Sequence, residues 1–100
     1  MKWVVYFLRV RDGSLYCGIT NDYAKRLRTH QARKGSKYVA HRLPILEGKV
    51  LMEFDGANAR SDAAVLEAHI KRLPKIEKEK WMMSYEPGQR YLLMLASDEY

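Results

Sequence analysis

Five side chains in this chain are of types that carry proton-transfer, anion-binding or hard-cation chemistry. They are the phenols Tyr6 and Tyr16, the guanidinium of Arg26, the imidazole of His30 and the carboxylate of Glu67. Phenols and imidazoles pass protons, a guanidinium binds phosphate oxygens, and a carboxylate offers a hard oxygen donor. Taken singly, each has an ordinary structural reading: strand aromatics, a solvated helix cation, a helix-surface acid. Other chemistries lack their residues. No glycine-rich phosphate loop, HExxH helix or serine elbow occurs, and His30, His41 and His69 do not have metal-ligand spacing. The single cysteine, Cys17, excludes an internal disulfide and a thiolate zinc site, and it reads as a packed strand thiol rather than a nucleophile.

Charge points to an anionic partner. The chain carries 18 Lys and Arg against 12 Asp and Glu, a formal charge of +6. The excess is confined to the first half, where ten basic residues up to Pro44 face two acidic ones; from Ile45 onward eight face ten. Between Lys25 and Arg42 the cations Lys25, Arg26, Arg28, Arg33, Lys34, Lys37 and Arg42 occur with no carboxylate among them. A surface facing phosphates needs such a run, and Tyr38 within it adds an aromatic ring. The alternative for the run alone is a solvated basic face.

These residues must be positioned by elements that the patterning predicts. Trp3–Val10 is rich in β-branched and aromatic residues and reads as a strand, Asp12-Gly13 as a turn, and Leu15–Thr20 as the returning strand of a hairpin. Register follows from loop length. A two-residue turn pairs Tyr6 with Ile19 and separates the tyrosines, whereas a three-residue loop with left-handed Gly13 pairs Tyr6 with Gly18 and puts Tyr6 and Tyr16 on one face. Glycine in the third loop position suits the second form. Gly18 inside a strand implies a bulge or a close approach.

Asn21 is the expected cap of a helix over Asp22–Ala32, with Tyr23 and Leu27 inward and Arg26 and His30 on a neighbouring face. The chain then reads as loop to Pro44, and Lys49–Phe54 as a third strand. Ser61 is the expected cap of a helix to Leu73, with the stripe Ala63, Leu66, Ile70 and Leu73 and with Glu67 at its margin. Pro74 opens a last helix over Lys75–Met83, and Tyr91–Leu95 reads as an edge strand or a docked helical turn. The order β-β-α-β-α-α is α+β, a small three-stranded antiparallel sheet flanked by helices.

The segments Val4-Val5-Tyr6, Tyr16-Cys17-Gly18 and the run from Ile19 to His30 together resemble the GIY-YIG endonuclease superfamily. Lys34–Tyr38, Arg42-x-Pro44 and Ala64–Lys71 resemble corresponding stretches of its small stand-alone bacterial members, so the likeness spans roughly residues 3–80. It implies motif tyrosines at Tyr6 and Tyr16, a catalytic arginine at Arg26 and a metal-binding glutamate at Glu67. His30 matches the histidine that often follows the arginine. It further implies cleavage of DNA phosphodiesters with one divalent ion, Mg²⁺ or Mn²⁺, in DNA processing or repair, with a tyrosine taking the proton of the attacking water. Which tyrosine does so stays open, and His30 or a metal-bound hydroxide could share the task. Val4-Val5 and Cys17 depart from the usual motif residues at positions that read as strand packing, and His41 departs in a loop.

One hundred residues fit a single domain over 1–100, with 85–100 as a C-terminal extension packed on it. No apolar run approaches the roughly 18 residues of a bilayer span, and no cleavable leader is evident, so a cytoplasmic protein with no membrane partner is expected. A monomer is expected, with a dimer through the Tyr91–Leu95 edge as the alternative. Single strands, flaps, branches and RNA remain open as substrates. The second function class is a nucleic-acid-binding module without catalysis.

Overall fold

The computed structural model describes residues 2–83. Strands β1 (Lys2–Val10) and β2 (Leu15–Thr20) form a hairpin; helices α1 (Tyr23–Gln31) and α2 (Lys37–Ala40) follow; strand β3 (Ile45–Asp55) leads into helices α3 (Ala59–Lys71) and α4 (Lys75–Met83). The sheet is antiparallel with order β2-β1-β3, the α+β arrangement that the sequence predicts. Among the described residues no helix is long and apolar enough to cross a membrane.

Central β1 is covered on both sides, so Val4–Leu8 is buried without a break. Alternation survives in the cluster that each residue joins. Val5 and Phe7 pack with Cys17, Leu66, Ile70 and Trp81, while Tyr6, Leu8 and Val10 pack with Val39, Tyr16, Tyr23 and Leu27. Helix α3 supplies the first cover, contacting all three strands through the predicted stripe of Ala63, Leu66 and Ile70. Each large apolar side chain so buried contributes about 1.5–3 kcal/mol.

The hairpin takes the three-residue form. Gly13 has φ 84°, Arg9 pairs with Leu15, and Tyr6 lies opposite Gly18, so Tyr6 and Tyr16 share a face.

Several boundaries differ from expectation. Asp22, not Asn21, caps α1, because its carboxylate accepts the Lys25 N–H at 3.1 Å. The expected loop before Pro44 contains α2, which starts where Ser36 Oγ accepts the Val39 N–H and is anchored by fully buried Val39. Four residues are too few for periodicity to reveal. Strand β3 begins at Ile45 rather than Lys49, since pairing along the whole of β1 overrides the weak strand character of Leu46-Glu47-Gly48. Its register shifts between the Val5–Met52 and Tyr6–Val50 pairs, which makes Leu51 the extra residue and lets Leu51 and Met52 enter one core. Helix α3 starts at Ala59 behind Asn58 and ends at Lys71, not over Ser61–Leu73; the Ser61 hydroxyl donates back to the Asn58 carbonyl at 3.0 Å. Segment 85–100, with Tyr91–Leu95, lies outside the described residues.

Candidate active site

Tyr6 projects from the middle of β1 toward α1, under β2. A Cβ on Gly18 would stand 2.6 Å from the Tyr6 hydroxyl and 2.7 Å from its Cζ, so the missing side chain is what admits the phenol. This is the close approach that a glycine at this position predicts. The hydroxyl then meets His30 Nε2 at 2.8 Å, one turn beyond Arg26 on α1. Burial pushes the Tyr6 phenol up to about 12, against the opposing effect of a hydrogen bond with Arg26. Burial, aided by the Arg26 charge, drives His30 down to about 4. At neutral pH both groups are uncharged.

The Tyr6 hydroxyl and His30 Nε2 share one hydrogen bond, whose direction follows the imidazole tautomer. The other ring nitrogen, Nδ1, is buried with no hydrogen-bond partner among the described residues. Leaving such a polar atom unsatisfied costs about 1–3 kcal/mol. Gly35 seals that edge, since a Cβ there would meet Nδ1 at 2.5 Å, and its carbonyl accepts a long bond from Arg26 Nη2 at 3.4 Å.

Tyr16, half-exposed, stands on the same face. Its ring centroid is 6.3 Å from that of Tyr6, 5.3 Å from that of His30 and 6.1 Å from that of Tyr38. Arg26 reaches both phenols. The hydrogen bond with Tyr6 is the largest cause of its raised pKa, and Tyr16 adds to it. Tyr6, Tyr16, Arg26 and His30 are therefore one contiguous cluster.

Glu67 lies across the β2 edge, on α3, which packs against the opposite sheet face. It is half-buried, its carboxylate 3.5 Å from Lys71 Nζ one turn on. Its charge reaches Cys17, the neighbour of Tyr16: burial first and Glu67 second push that thiol up to about 12, which fits the packed thiol expected. Among the described residues no group of three or more His, Cys, Asp or Glu side chains gathers as a metal cluster. A lone accessible carboxylate suits a hard ion that keeps most of its waters, such as Mg²⁺, and does not suit a closed zinc site.

The basic run does not form one uniform row. Lys25, Arg28, Lys34 and Lys37 are exposed. Arg33 donates to the Ala40 carbonyl at 3.0 Å. Arg42 donates to Asp12 and to the Tyr38 carbonyl, each at 3.1 Å, and lies 3.8 Å from the centre of the Tyr38 ring. His41 caps the end of α2. Sequence reasoning misses Gly35 and the cations that approach from the other side, Lys71 and Lys78, which line a cleft beside Tyr16 and Tyr38. The available signal for Lys71 is its place four residues after Glu67.

Residues 2–85 match the model of the GIY-YIG catalytic domain. A UPF0213 protein of Yersinia enterocolitica is 39% identical over 97 residues, covering 96% of this chain and 95% of its own length. Another, from Bacillus licheniformis, is 34% identical over 93 residues, covering 86% of this chain and 92% of its own. The solution NMR structure of the UPF0213 protein BH0048 from Bacillus halodurans is 30% identical, covers 90% of each chain and has a TM-score of 0.47.

Proposed function

The chain belongs to the GIY-YIG family, and from that premise we propose that it is an endonuclease hydrolysing DNA phosphodiesters with one divalent ion, Mg²⁺ or Mn²⁺. The observation that supports this reading is the gathering of Tyr6, Tyr16 and His30 beside Arg26, whose charge both phenols perturb, with Tyr6 tied to a neutral, buried imidazole. Such an arrangement holds a guanidinium in one place at a surface that a phosphate can reach.

In this reading Arg26 binds a non-bridging phosphate oxygen and stabilises the negative charge that grows there in the transition state. Tyr16 takes the proton of the attacking water. It is the half-exposed phenol of the pair, whereas Tyr6 is 1% exposed and stays protonated well above neutral pH. Tyr6 is a positioning residue: its bond to His30 holds the phenol beneath Arg26, whose guanidinium also donates to the Gly35 carbonyl. Glu67 would hold the metal, which when bound supplies positive charge for the leaving oxygen.

A gel assay on single-stranded, duplex and branched DNA, with Mg²⁺, Mn²⁺ or EDTA, tests the reading. Metal-dependent cutting by the wild type should fall at least about 100-fold in Arg26→Ala and in Glu67→Ala, with DNA binding retained in the latter. Tyr16→Phe should lose cutting without losing stability, and Tyr6→Phe should lose stability. Binding without cutting by every protein on every substrate would make the domain a binding module instead.

A further inference from the structure

We infer that α3 and α4 supply a second cationic wall, Lys71, Lys75 and Lys78, and that the cleft between it and Tyr16 and Tyr38 takes one single strand of DNA leading to Arg26. The inference deepens the nuclease reading and rests on it.

Two adjoining clefts share Leu15, Tyr38 and Lys78. One, of about 240 Å³, is also lined by Tyr16, Cys17 and Lys71; the other, of about 210 Å³, by Ser14, Lys75 and Glu79. Each has room for about one nucleotide, a size that suits a single strand. The wall lysines come from a half of the chain with no cationic excess, and the turn at Pro74 brings them together: Lys71 ends α3, Lys75 begins α4, and Lys78 follows one turn later.

The sign of the cleft is positive despite Glu79. That carboxylate is held by Arg9 in a two-pronged bond of 2.6 and 2.9 Å, which neutralises it, and Glu67 pairs with Lys71 at 3.5 Å, so Lys75 and Lys78 set the field. On the opposite wall Tyr38 is exposed yet fixed. Its hydroxyl donates to Ser14 Oγ at 2.5 Å and Arg42 covers its ring. An aromatic surface immobilised before binding loses little entropy when a base packs on it. Bases lie toward Tyr16 and Tyr38, phosphates toward the lysines, and the strand runs from Lys75 past Lys71 to the neighbourhood of Glu67.

The test measures binding in EDTA, which keeps it apart from cutting. Fluorescence anisotropy with labelled oligothymidylate, and with its oligoadenylate duplex, is followed over a salt series for the wild type, the Lys75→Ala/Lys78→Ala variant and the corresponding arginine double variant. The wild type should prefer the single strand. The slope of log affinity against log salt should shrink by about 1.4 in the alanine variant, about 0.7 per lost phosphate contact, and return with arginine, while the duplex slope stays unchanged. Lys75→Ala alone, at an exposed position, should lose about 0.7 and guards against misfolding of the double variant. Equal slopes in all proteins, an equal loss on the duplex, or a wild-type preference for duplex overturns the inference. Absence of metal-dependent cutting by the wild type overturns the nuclease reading and leaves these slopes to be read as they stand.

Discussion

The two faces of the sheet are built from alternate residues of the same strands, and they hold different things. Beneath α3 the buried side chains are apolar: Val5, Phe7, Cys17, Leu51, Leu66, Ile70 and Trp81. Opposite, the same strands bury Tyr6 against His30 and beside Arg26, leaving a ring nitrogen without a partner among the described residues. The comparison teaches a division of labour. One face supplies stability, so the other can hold polar groups in an arrangement that costs stability.

The largest effect should come from cutting the apolar face. Phe7→Ala removes a fully buried ring from the centre of that core and should cost about 3–5 kcal/mol in urea unfolding, with no change in how stability depends on pH. A loss below about 1 kcal/mol would erase the distinction between the faces.

The polar face should instead respond to pH. His30 sits at about 4 when folded, against an ordinary value of about 6.5 for the unfolded chain. Between these values the unfolded state binds more protons, so stability rises with pH. It is full above about 6.5 and is lost, by about 3 kcal/mol, as pH falls toward 4. Unfolding free energies measured at about pH 7 and about pH 4 should show this loss in wild type and in milder variants of the apolar face, and should not show it in His30→Gln. An identical pH dependence in His30→Gln would assign the effect elsewhere.

Part of this asymmetry is legible in the sequence. The strand patterning of Trp3–Val10 and Leu15–Thr20 holds, and the left-handed loop at Gly13 decides the register that brings Tyr6 and Tyr16 to one face. Helical spacing on α1 does the same for Arg26 and His30. Less legible are features that depend on contact across the fold. Helix α2 has one buried side chain, Val39, too few for a periodic signal. Gly35 looks like any loop glycine until His30 is seen against it. Lys71, Lys75 and Lys78 read as a solvated helix surface until the turn at Pro74 brings them opposite Tyr38.

A smaller effect should follow from pressing on the polar face from outside. Gly35→Ala places a methyl group into the fully buried His30 ring, with Nδ1 at 2.5 Å and Cε1 at 2.9 Å, and something must move. The expected cost is about 1–3 kcal/mol. Because the ring is displaced toward solvent, the His30 titration followed by NMR should move up from about 4 toward the ordinary range. A stable variant with an unmoved His30 titration would show that the loop, not the ring, yields.

The smallest effect should be a gain, at the end of α1. Arg33 has φ 67°, and the Arg33 and Lys34 N–H groups bond back to the His30 and Thr29 carbonyls, both at 3.0 Å, a helix-ending geometry usually taken by glycine. A residue with a Cβ costs about 1 kcal/mol in that conformation. Arg33→Gly relieves this strain and gives up an exposed bond to the Ala40 carbonyl, so stability should rise by somewhat less than about 1 kcal/mol. Arg33 lines a cleft with Gln31, Leu43, Pro44 and Ile45, a set that shares no residue with the cleft beside Tyr16. The salt dependence of single-strand binding should therefore match that of wild type. A slope reduced by about 0.7 would show that Arg33 contacts a phosphate, and that the strain at this corner is retained for binding on the polar face.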